Sequence, residues 1–102
     1  MLNKVKELQL FNRMNKILKK HSIEVIHNIP GRIRLRSVFW KSNTELVNKL
    51  IKHFENDPAI YSISYTAETG SLLITYDSSP IDHMKQLEAW MEQIEWLSQK
   101  VR

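Results

Sequence analysis

The 102-residue chain contains no cysteine and only two glycines, Gly31 and Gly70. The first absence excludes disulfides, thiolate metal centres and cysteine nucleophiles, and it fits a reducing compartment. The second excludes a glycine-rich phosphate loop. Apolar runs are a few residues long, far short of the roughly 20 that a membrane-crossing helix needs. The N-terminal stretch has no continuous apolar segment of signal-peptide type. The expectation is a cytoplasmic protein, with peripheral attachment to a membrane as an option. No nucleophile has a base and an orienting group at a recognisable spacing, so enzyme activity is not expected. The four histidines, His21, His27, His53 and His83, contain no His-x-x-x-His pair, so a local zinc signature is missing. His27, beside a Pro-Gly turn, is the one histidine placed to join a carboxylate in a metal site.

What the chain has in quantity is positive charge, unevenly placed. Residues 1–41 hold ten Lys/Arg against two Glu, a balance of +8, and residues 42–102 hold five Lys/Arg against nine Asp/Glu, a balance of −4. Such a division points to internal pairing, head-to-tail association or an anionic partner for the front half. The charge is most ordered in Ile29-Pro30-Gly31-Arg32-Ile33-Arg34-Leu35-Arg36. After the turn, arginine alternates with branched apolar residues. A strand of period two puts Ile33 and Leu35 on one face and Arg32, Arg34 and Arg36 on the other. That comb of guanidiniums either binds an anionic partner or is neutralised by the protein's own carboxylates.

The remaining periodicities set the architecture. Val5, Leu8, Phe11, Met14 and Leu18 form one stripe of a helix over 3–20, flanked by lysines. Residues 23–28 are β-branched and read as a strand. Pro30-Gly31 suits the centre of a type II turn, so 23–28 and 32–38 are either a hairpin or one kinked strand. Ser42-Asn43-Thr44-Glu45 reads as a capping box with Ser42 as N-cap, opening a helix that stops near Asn56-Asp57-Pro58. Strands follow at 59–66, with Tyr61, Ile63 and Tyr65 on one face, and at 71–76, joined by a turn at Glu68-Thr69-Gly70. Ser79 as N-cap and Pro80 in the first turn start a last helix that carries Met84, Leu87, Met91, Ile94 and Val101. Of its tryptophans, Trp90 and Trp96, one is expected at the surface.

The order is an extra N-terminal amphipathic helix at 1–20, then an α+β unit at 21–102. Its β-α-β-β-α core is that of a ferredoxin-like split βαβ sandwich whose final strand is missing or replaced by residues 23–28. Without a replacement, the arginine strand would lie on a sheet edge open to a second chain.

The segment His27-Asn28-Ile29-Pro30-Gly31-Arg32-Ile33-Arg34-Leu35-Arg36, with Glu68-Thr69-Gly70-Ser71-Leu72-Leu73-Ile74-Thr75-Tyr76-Asp77, resembles divergent heavy-metal-associated domains over about residues 23–95. The resemblance implies a ferredoxin-like fold and a context of metal or iron homeostasis, alone or beside heavy-metal-transporting P-type ATPases. Metallochaperone-type members hold copper with Met-x-Cys-x-x-Cys after the first core strand. Here that loop reads Phe39-Trp40-Lys41-Ser42-Asn43 and has no soft donor, so copper binding is not carried over.

The sequence thus reads as a non-catalytic accessory or regulatory binding module of metal handling, without a cofactor. The candidate contact residues are Arg32, Arg34 and Arg36, with Pro30, Gly31 and Trp40. The expected partner is a protein, a metal-transporting ATPase among them, or an anionic membrane surface. Nucleic acid is disfavoured, because the arginine strand has no aromatic to stack a base. Two alternatives stay open: a structural module that self-associates through its sheet edge, and histidine-based binding of a metal or haem.

Overall fold

The computed structural model describes residues 4–80 and 83–100. Helix α1 (Lys4–Lys19) precedes strands β1 (Ile23–Ile29) and β2 (Arg32–Ser37), a 3-10 turn at Val38–Ser42, helix α2 (Thr44–Glu55), strands β3 (Ile60–Thr66) and β4 (Ser71–Tyr76), and helix α3 (His83–Lys100). The four strands form one antiparallel sheet in the order β1-β2-β4-β3. This is the expected α+β, ferredoxin-like arrangement with an added N-terminal helix.

The choice between hairpin and kinked strand is resolved. β1 folds back on β2, with Ile29 opposite Arg32 and Ile23 opposite Ser37. Gly31 takes φ 88°, which the third position of a type II turn demands. β1 therefore fills the place of the absent last strand, and the arginine strand lies inside the sheet rather than on its edge. The two free edges, β1 and β3, each carry a bulge, at Ile26 and at Tyr61. Bulges twist and interrupt an edge, which blunts pairing with another chain.

Alternation along β2 and β4 turns Ile33, Leu35, Leu72, Ile74 and Tyr76 to one side, where they share a single core with the helices. α1 contributes fully buried Met14 and Leu18, and α3 contributes Leu87, Trp90, Met91 and Ile94. Asp57 fastens this layer, accepting from Ala59 N at 2.9 Å and from Trp90 Nε1 at 2.8 Å. Tyr76 packs edge-on against Trp90, with ring centroids 5.3 Å apart. Burial pushes its phenol pKa above the ordinary value, so it acts as neutral filler.

Several local expectations change. α2 is capped by Asn43, not Ser42: Asn43 Oδ1 accepts from Leu46 N at 3.2 Å. Ser42 is consumed by the 3-10 turn, where its hydroxyl donates to the Phe39 carbonyl. That turn also ends β2 at Ser37, whose Oγ accepts from Phe39 N. Leu8 leaves the α1 stripe and is exposed, and Tyr61, lifted out by its bulge, does not share a face with Ile63 and Tyr65. Residues 81 and 82, where the first turn after a Ser79 cap is expected, and Val101 lie outside the described residues. Ser79 itself turns back, donating to Asp77 Oδ1 through both N–H and hydroxyl.

Candidate interaction face and the metal-loop position

Among the described residues, no helix covers the outer face of the sheet. Register arranges it in three rows: Glu24–Arg36–Ser71–Thr66, His27–Arg34–Leu73–Ser64 and Ile29–Arg32–Thr75–Ser62. All three arginines are exposed. Neighbours on one strand face stand about 7 Å apart, so their like charges repel. Arg36 is answered by Glu24, but one guanidinium nitrogen reaches both carboxylate oxygens, at 3.3 and 3.4 Å, instead of a two-by-two fork. Arg32 and Arg34 have no carboxylate partner among the described residues. With His27 and the exposed Ile26 they line a shallow cavity of about 330 Å³. Ile29, also exposed, adds apolar surface at the end of the Arg32 row.

This is the comb expected from alternation, with one tooth paired and two open. Pro30 and Gly31 form the turn at its end. Gly31 also joins the two stretches that carried the family resemblance. Its carbonyl accepts from Tyr76 N at 3.0 Å, and a Cβ there would lie 3.4 Å from Ser78 Oγ and from the Tyr76 carbonyl. At the sheet's other end Gly70, at φ 65°, lies so close to β2 that a Cβ would come within 2.9 Å of the Ser37 carbonyl.

Two predicted site residues are placed otherwise. Trp40 does not stand on the surface as a partner anchor. The 3-10 turn rotates it inward until only 1 % is exposed, and Val38 and Phe39 take the outer positions. His27 gains no carboxylate among the described residues: its register neighbour is the cation Arg34, and Glu24 is directed to Arg36. Among the described residues no group of three or more His, Cys, Asp or Glu is placed to hold a metal ion. Among them, too, no helix is long and apolar enough to cross a membrane. Of the two tryptophans of α3, Trp90 is buried and Trp96 is about half exposed.

The heavy metal associated domain 2 family model matches residues 8–101, nearly the whole chain. The chain belongs to that family. No curated protein and no solved structure matches it. The match begins within α1, so it takes in most of the N-terminal helix as well as the split βαβ core. In this heavy metal associated domain, the position where the resemblance to metallochaperone-type members implies copper ligands is the 3-10 turn Val38–Ser42. It supplies a buried indole, an exposed phenyl and the Lys41 ammonium. None is a ligand for a soft cation, and a fixed positive charge opposes one. The donor set does not fit copper.

What the sequence did not reveal is how the face is completed. Ile26 joins it through a bulge, which leaves no signature in a β-branched run. The alternation in β2 is the signal that places Arg32, Arg34 and Arg36 together on one exposed face.

Proposed function

We propose that this domain is a non-catalytic docking module of metal handling that has lost the thiolate grip and binds an acidic protein segment across its open sheet face. The observation that carries the reading is the pair Arg32 and Arg34: adjacent, exposed, without a carboxylate among the described residues, and bordered by exposed Ile26 and Ile29. Arginine beside branched apolar side chains is the composition of protein interfaces. Its planar fork suits carboxylates better than a lysine point charge does. The same face offers no aromatic on β2 or β4 to stack a base, because Tyr76 points into the core. An accessory role beside a heavy-metal transporter, with an acidic cytosolic segment as the occupant, fits the family and this surface.

The test is a titration of isotope-labelled protein with a synthetic peptide of alternating Glu and Leu. Shifts should fall on β1 and β2, and Arg32→Gln/Arg34→Gln should weaken binding about tenfold or more, the scale of a lost charge-assisted hydrogen bond at each position. Unchanged affinity in the double variant overturns the reading. Saturable binding to phosphatidylglycerol vesicles, with none to the peptide, replaces the protein partner by a membrane surface.

A further inference from the structure

A backbone irregularity on the open face brings an imidazole to the guanidiniums. Glu24 stands opposite Arg36, so it shares the face that carries the arginines. Strict alternation from Glu24 would turn His27 and Ile29 to the other face, toward the core. The bulge at Ile26 resets that phase: His27 comes opposite Arg34, and Ile29 comes opposite Arg32. Glu24, Ile26, His27 and Ile29 are accordingly all exposed. Bulges commonly re-aim a side chain next to a functional site. The product here is a shallow cavity of about 330 Å³ lined by Ile26, His27, Arg32 and Arg34.

That lining selects among anions. Arg32 and Arg34 bring two positive charges, and neither has a carboxylate among the described residues. Glu24, on the same face, is engaged with Arg36. An imidazole presents at least one N–H in either protonation state, so three donor-bearing side chains open on one cavity. A carboxylate carries one charge on two oxygens and leaves one of the two guanidiniums unanswered. A phosphomonoester carries about −1.5 to −2 charges at pH 7 and three acceptor oxygens. It matches two guanidiniums and an imidazole in charge and in number, and arginine forks suit its oxygens. Ile26 supplies an apolar neighbour for the chain that bears it. From this the geometry points to a seat for a phosphorylated serine of the docked segment, with its oxygens accepting from Arg32, Arg34 and His27. This rests on the docking reading above and names the group that the segment places in the cavity.

The experiment titrates the full chain with three peptides and follows amide and imidazole resonances. The first is the alternating Glu and Leu peptide. The second has its central Glu replaced by phosphoserine. The third matches the charge of the second by one added terminal Glu. The phosphoserine peptide should bind about tenfold tighter than either of the others, the effect of one further charge-assisted hydrogen bond. Its largest shifts should fall on Ile26, His27, Arg32 and Arg34. His27→Leu should cut the margin to about threefold or less, and Arg32→Gln/Arg34→Gln should erase it. Equal affinity for the phosphoserine and charge-matched peptides overturns the phosphate seat, and the docking reading stands if both still bind through the arginines. An undiminished margin in His27→Leu also overturns the seat. Binding by none of the three overturns both readings. Saturable binding to phosphatidic acid vesicles, with no gain from phosphoserine, transfers the site to a lipid headgroup and overturns the proposal.

Discussion

Helix α1 and strand β2 are both basic, and their charges meet opposite surroundings. α1 lies against α3, which carries Glu88, Glu92 and Glu95. Arg13 meets Glu88 at 3.4 Å, and His21, just past the helix, lies 3.5 Å from Glu95. The surplus of the front half is thus partly answered by the acidity of the rear half, inside one chain. The arginines of β2 lie on the face of the sheet turned away from the core that α3 packs against. Of these three arginines, only Arg36 has a carboxylate among the described residues, and that carboxylate comes from the neighbouring strand. Position relative to the core decides whether a basic segment meets carboxylates of its own chain or, like Arg32 and Arg34, has none among the described residues.

The comparison breaks most sharply at the core. Leu18→Ala in α1 should cost about 2–5 kcal/mol in urea unfolding, the range for emptying a fully buried leucine site. A loss near zero would mean that α1 is only a detachable basic arm. Gly70→Ala should cost somewhat less, about 1–3 kcal/mol, because a positive φ and a 2.9 Å approach to the Ser37 carbonyl both resist a side chain. On the open face, by contrast, Arg32→Gln/Arg34→Gln should change stability by no more than about 0.5 kcal/mol while weakening the acidic peptide about tenfold. A large stability loss there would assign those arginines to the fold.

The ion pairs sharpen the contrast at smaller scale. A double-mutant cycle on Arg13 and Glu88 should give about 0.2–1 kcal/mol, reduced by added salt, since Arg13 is mostly exposed. The cross-strand pair Arg36–Glu24 should fall in the same range. The smallest effect concerns Asp77, whose carboxyl is held below its usual pKa by the hydroxyl and amide of Ser79. A depressed folded-state pKa stabilises above the unfolded value and loses that contribution as pH falls through the folded one. The stability gap between wild type and Asp77→Ala, read by thermal unfolding, should therefore be full near neutral pH and close below about pH 4.

Much of the fold was legible along the chain because its signals are local. Alternation in Arg32–Ser37, the stripe at Leu87, Met91 and Ile94, and the turn at Pro30-Gly31 each report on a few consecutive residues. The misread positions are those where a neighbour decides. Ser42 and Asn43 are both good caps, and the 3-10 turn selected between them. Tyr61 left its face because of a bulge against β4. Trp40 looked like a loop anchor, yet the same turn folded it into the core.

By itself, then, the sequence determined the element order, the absence of thiolate chemistry and the side-by-side guanidiniums, since composition and period-two geometry need no partner segment. Only the tertiary structure decided that β1 covers the edge of the arginine strand and that α3 answers the charge of α1. Those outcomes depend on distances between residues far apart in the chain, and such distances are set by how the layers pack.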